Sequence, residues 1–161
     1  MHPECPDLVR FVRGEIAAAD FPHREHVRMA FEMLRRHDFA ETVWLYSWAL
    51  RAMAARAGKP QAFNQTVTIA FLSLIAERME QGRAVDFAVF ARDNPAVFHK
   101  DVLARWYPRE QLTEEITRRV FVLPAPADQR PHVTPAGRGC GADFAVPGLP
   151  PEPREPPATA S

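Results

Sequence analysis

Proline is placed very unevenly along this chain, and that limits how much of it can fold. Ten of the sixteen prolines, and four of the seven glycines, lie between Pro124 and Ser161. Each proline fixes its φ and removes a backbone donor. The same stretch holds few large apolar residues, chiefly Val133, Phe144, Val146 and Leu149. Such a segment cannot bury enough surface to offset the entropy of ordering it. The sequence therefore predicts a folded domain over residues 1–124 and a disordered, Pro-rich C-terminal tail over 125–161.

Ahead of that boundary the composition is ordinary for a globular domain, and the formal net charge of the whole chain is zero. A nucleic-acid binder carries a basic excess or a basic stripe, so capture of DNA or RNA is not expected. Two cysteines, Cys5 and Cys140, do not make a disulfide framework, and a reducing cytoplasm is the expected location. The opening Met1-His2-Pro3-Glu4-Cys5-Pro6-Asp7 has neither the basic nor the apolar region of a signal peptide. Charged or amide residues interrupt every apolar run well before the ~18 residues of a membrane span.

The body of the chain shows helical periodicity and no two-residue alternation, which predicts an all-α, compact, antiparallel bundle of about five to seven helices. A first helix is expected over Asp7 to Ala18. Asp20 is expected to cap a second, running to about Arg36 with Pro22 in its first turn. Asp38 with Glu41 forms a capping box that opens a third helix, carrying Trp44, Leu45, Trp48 and Met53 and ending before Gly58. A fourth spans Phe63 to Gln81. Asp86 caps a short turn, Asn94-Pro95 opens a helix from Ala96 to Tyr107, and Arg109 to Arg119 forms a last one. Val120-Phe121-Val122-Leu123 is an apolar strap expected to pack back on the bundle, with Phe121 buried.

On a helical wheel the second helix separates cleanly. With His23 at zero, Val27, Ala30, Phe31, Met33 and Leu34 fall within about 80° either side, and Arg24, Glu25, Arg28, Glu32, Arg35 and Arg36 fall opposite. His23 and His26 lie with the apolar set, one turn apart, and should face the interior. The fourth helix likewise places Asn64 and Thr68 among Val67, Phe71, Leu74, Ile75 and Met79. Buried polar groups need partners.

Two readings of these four residues stay open. They form a hydrogen-bonded cluster that fixes helix register, or they line a small-molecule or metal site. Imidazole is the commonest metal ligand, and zinc, copper or iron is the divalent metal that His23 and His26 would suit. A zinc site needs three or four ligands. Glu25 points to the wrong side, and His99 joins only if packing brings it there.

The segments Phe21-Pro22-His23-Arg24-Glu25-His26-Val27-Arg28-Met29-Ala30 and Phe63-Asn64-Gln65-Thr66-Val67-Thr68 carry a resemblance, as do Asn94-Pro95, Leu103-Ala104-Arg105-Trp106-Tyr107 and Arg118-Arg119-Val120-Phe121-Val122-Leu123-Pro124. Over roughly residues 8–124 the chain resembles a family of small, uncharacterised bacterial helical proteins whose second segment usually reads Tyr-His-Glu-Thr-x-Thr. The resemblance implies a three-histidine metal site in that family. Here Asn64 and Gln65 stand at the histidine and glutamate positions, which disfavours metal chemistry in this chain. It adds site positions (His23, His26, Asn64, Gln65 and Thr68) and no reaction.

Gly137-Arg138-Gly139-Cys140-Gly141 follows no strand and opens no helix, so it reads as linker and not as a phosphate loop. Pro150-Pro151-Glu152-Pro153 and Pro156-Pro157 suit polyproline II, a conformation a protein partner can read. Trp44, Trp48, Trp106 and Tyr107 sit at helical spacing, where core packing is the expectation. No Ser-His-Asp set or Cys-His pair is present. The expected function is a small-molecule enzyme or binding protein with a polar pocket between helices. The alternative is a non-catalytic helical interaction or scaffold protein whose His/Asn cluster is structural.

Overall fold

The computed structural model describes residues 6–82 and 84–126. Of the segment 125–161 assigned above to a disordered tail, residues 127–161 lie outside the described residues, as do Cys5 and Cys140. Among the described residues there are seven α-helices joined by short connections and 3-10 turns, and no strand. The helices are α1 (Pro6–Val12), α2 (His23–Leu34), α3 (Phe39–Arg56), α4 (Gln65–Gly82), α5 (Phe87–Asp93), α6 (Arg109–Thr113) and α7 (Glu115–Arg119). The fold is all-α.

Helix boundaries follow local chemistry. Asp38 caps α3 by accepting from the Glu41 amide at 2.8 Å, and Asp86 caps α5 through the Val89 amide at 2.9 Å. Two glycines stop helices in the left-handed region. Gly14, at φ 67°, ends α1 well before the expected Ala18: its amide bonds Phe11 O and the Glu15 amide bonds Arg10 O. Gly58, at φ 70°, ends α3 with the same pair of bonds, to Ala55 O from its own amide and to Ala54 O from Lys59. These are Schellman closures, in which glycine supplies the positive φ without a Cβ penalty.

Three expected elements differ. Asp20 lies inside a 3-10 turn, Ala18–Asp20, and Pro22 precedes α2 with no side-chain cap. Asn94 does not open a long helix. Its side chain donates back to Phe90 O at 3.0 Å, closing α5, and the chain continues as two 3-10 turns, Pro95–Phe98 and Val102–Arg105. The extended His99 between them leaves the Val97 carbonyl free of any helical ladder. Arg109 to Arg119 is broken at Glu114 into α6 and α7.

The core gathers around α2, which packs against α1, α3, α4 and α5. Val27, Met29, Ala30, Phe31 and Met33 are each fully buried. Met29 lies outside the apolar arc of the wheel, so α2 is covered over a wider face than an ordinary surface helix. On α3 the buried residues are Thr42, Tyr46, Ser47, Ala49 and Met53. Trp44 and Trp48 are therefore carried to the opposite side. They are 67% and 59% exposed, contrary to the expectation of core packing. Trp106 packs partly against the core, and Tyr107 is buried.

The strap after α7 does return to the bundle, but through polar bonds. Thr66 Oγ1, buried on the back of α4, donates to Val120 O at 2.7 Å and accepts from the Val122 amide at 3.0 Å. Tyr107 Oη donates to Val122 O and Gln111 Nε2 to Leu123 O. Phe121, expected to be buried, is 40% exposed. The strap presents its backbone to the bundle, so Val120, Phe121 and Leu123 stay exposed and Val122 is half-buried.

Candidate functional site

A cleft of about 480 Å³ opens between the start of α2, the second half of α3 and the start of α4. Helix α2 contributes His23 and His26, helix α3 Tyr46, Leu50, Met53 and Ala54, and helix α4 Val67, Thr68 and Phe71. Ala57, Lys59, Ala62, Phe63 and Asn64 line it from the α3–α4 connection, Lys100, Val102 and Leu103 from the 3-10 region, and Ala18 from the turn before α2. Its walls are aliphatic and aromatic carbon with a few polar groups set among them.

Both histidines are half-buried, on the inward side of α2 as the wheel predicts. His23 Nε2 lies 3.2 Å from Val97 O, the carbonyl freed where the expected long helix breaks. The Nε2–H tautomer donates there, leaving Nδ1 as an acceptor. The His23 ring also packs against Phe71, with centroids 5.3 Å apart. His26 packs edge-on against Phe21 at 4.4 Å. Tyr46 Oη donates to the His26 backbone carbonyl at 2.8 Å and lies 3.5 Å from His26 Nδ1.

Burial, with the nearby His23 as a second cause, pushes the His26 imidazole down from 6.5 to about 4, while hydrogen bonding to the Phe21 backbone opposes the shift. His26 is a neutral side chain at physiological pH. Burial likewise raises the Tyr46 phenol, which stays protonated.

Asn64 is tied into the fold by three hydrogen bonds. Its Oδ1 accepts from the Val67 amide at 2.9 Å, capping α4. Its Nδ2 donates to Leu112 O and to Thr117 Oγ1, each at 2.9 Å, tying α4 to the α6–α7 segment. Thr68 Oγ1 donates to Asn64 O at 2.8 Å. Both residues line the cleft, yet their hydrogen-bonding groups are engaged in the fold. Gln65 does not line it: it accepts from Arg51 Nη2 and its Nε2 lies 3.4 Å from Ser47 Oγ, so it faces α3.

Of the five site residues expected from sequence, the fold brings His23, His26, Asn64 and Thr68 to one cleft and turns Gln65 away. His99 is exposed and does not line the cleft. Among the described residues no three His, Cys, Asp or Glu side chains come together in a way that could hold a metal ion. His23 and His26 thus reach two imidazoles, short of the three protein ligands of a catalytic zinc site. The lining holds no Ser, Cys, Asp or Glu among the described residues, and its two hydroxyls donate to backbone carbonyls. The cleft is thus an apolar cavity with two imidazoles on one wall.

Sequence reasoning missed Tyr46, Lys59 and Lys100 as lining residues. Tyr46 follows Leu45 in an apolar run and carries no signal of its own. The lysines are surface residues by any local rule, and only tertiary packing brings them to the same opening. Among the described residues no helix is long and apolar enough to cross a membrane. Comparison with protein-family models, with curated proteins and with solved structures finds no match to this chain.

Proposed function

We propose that this protein binds a small, largely apolar organic molecule in the cleft between α2, α3 and α4. One observation carries the reading: a preformed cavity of about 480 Å³ with apolar walls and a pair of imidazoles on one of them. Small-molecule sites are of this kind, about 300–1,000 Å³, mainly apolar, with a few placed polar groups. Leu50, Met53, Val67 and Phe71 supply contact area, and His23 and neutral His26 supply hydrogen-bonding capacity. The engaged state of Asn64 and Thr68 makes them wall and support. Binding without chemistry is the simpler form of this function, because the lining holds no Ser, Cys, Asp or Glu among the described residues and its two hydroxyls are bonded to backbone carbonyls.

The test is titration with N-phenyl-1-naphthylamine, a neutral dye that brightens in apolar surroundings, against the wild type and Ala54→Phe. Ala54 lines the cleft on α3, and a phenyl ring there takes up part of its volume and narrows it. The expected result is saturable brightening at one dye per chain, lost in Ala54→Phe while its circular dichroism is unchanged. No brightening, or equal brightening in the two proteins, overturns the proposal. A second reading, a helical interaction protein, draws on the exposed Trp44 and Trp48, one turn apart on the outer face of α3. It predicts self-association or partner capture sensitive to Trp48→Ala and indifferent to Ala54→Phe.

A further inference from the structure

The chain has only two lysines against eighteen arginines. Both lysines, far apart in sequence, line the same cleft. Lys59 follows Gly58, whose left-handed turn ends α3. Lys100 stands between the two 3-10 turns. Both are exposed, so they stand at the mouth and not in the wall. The ion pairs among the described residues are made by arginines and His37, and neither lysine takes part in one. No Asp or Glu among the described residues lines the cleft to neutralise them.

Helices α2 and α4 both begin at this cleft, so their positive dipole ends add potential of the same sign. A lysine is a compact, strongly hydrated charge on a flexible apolar stem. Two of them over an apolar cavity form a mouth that attracts an anion and an interior that rejects one.

Resting on the reading that the cleft binds a small molecule, we infer that its ligand is an amphipathic carboxylate. The apolar body lies against Leu50, Met53, Val67 and Phe71, and the carboxylate sits at the mouth with Lys59 and Lys100. The charge at the opening selects the head, and the depth of apolar wall selects the body. Without the lysines the same cavity would take a neutral alcohol as readily.

The experiment is calorimetric titration of the full chain at low ionic strength with octanoate, octanol, octylammonium and octyl phosphate, in the wild type, Lys59→Gln/Lys100→Gln and Ala54→Phe. The expected result is octanoate bound at least about tenfold more tightly than octanol, a difference of about 1.4 kcal/mol, and octylammonium more weakly than octanol. In the double lysine variant the octanoate preference falls to within about twofold, while octanol binding is unchanged. That pattern separates a charge effect from damage to the cavity. Equal binding of octanoate and octanol by the wild type overturns the carboxylate and leaves the cleft reading standing. A preference for octyl phosphate over octanoate overturns the assignment of the head. Failure of every octyl compound, or equal binding by Ala54→Phe, overturns the cleft reading and the inference with it.

Discussion

Replacing Asn64 by alanine removes three interactions at once, and the structure separates them. The Oδ1 cap on the Val67 amide is worth about 1 kcal/mol, with a range of about 0.5–2. The two Nδ2 bonds, to Leu112 O and Thr117 Oγ1, contribute about 0.5–1.5 kcal/mol each. Thr117 Oγ1 also lies 3.2 Å from Leu112 O and 2.6 Å from Glu114 O, so the α6–α7 segment keeps part of its own bonding when Asn64 is lost. The expected cost of Asn64→Ala is about 2–4 kcal/mol. Asn64→Ser keeps a cap oxygen and drops the bridge, so it should recover about 1 kcal/mol of that. Asn64→His cannot supply both the cap and the bridge and should cost as much as alanine. Urea unfolding followed by far-ultraviolet circular dichroism reads all three. A cost below about 0.5 kcal/mol for Asn64→Ala would refute the reasoning. It would mean that the bridge is open in solution and that the amide is available to a ligand.

Stability should rise with pH between about 4 and 6.5 through His26, whose folded-state value near 4 lies below the ordinary 6.5. The unfolded chain then binds more protons across that window, and as pH falls through it the protein loses at most about 3 kcal/mol from this group. Urea midpoints from pH 4.5 to 7.5 should slope upward in the wild type and less so in His26→Gln. Equal slopes would place His26 in solvent. Thr66→Val should cost about 1–3 kcal/mol, because it leaves the Val122 amide without its acceptor. Phe121→Ala should cost less than that, because the ring is 40% exposed, and the reverse order in urea unfolding would show the strap to be held by side-chain burial. Gly14→Ala should destabilise more than Gly58→Ala. Both are left-handed, but a Cβ at Gly14 meets the Ala52 Cβ at 3.3 Å and one at Gly58 meets nothing within 4 Å. Equal thermal shifts would count against that packing.

What could be read from the sequence depended on how local the cause was. The Asp38 and Asp86 caps, the inward arc of His23 and His26, and the all-α class all follow from spacing within a few residues. The end of α1 is not legible in the periodicity, because a Schellman turn at Gly14 stops the helix where the apolar period still continues. Asn94-Pro95 has the form of a helix opener, but the same amide can close the preceding helix, and α5 ends within its reach. Trp44 and Trp48 share a face with each other, and only the packing of Tyr46, Ala49 and Met53 decides that it is the outer one. Thr66 falls on the polar side of α4 and is buried because a strap from more than fifty residues away covers it. The site shows the same division. The imidazoles were visible on one helix, whereas the meeting of Lys59 with Lys100 has no trace in local pattern.

The claim that the cleft is the binding site is tested most directly by nuclear magnetic resonance. Octanoate would be titrated into protein labelled at methyl groups, aromatic rings and backbone amides. The account predicts saturable shifts at the methyls of Leu50, Met53 and Val67, the Phe71 ring and the His23 and His26 imidazoles, with the Trp44 and Trp48 indoles unmoved. Shifts confined to the two indoles, with the cleft silent, would contradict it and place binding on the outer face of α3.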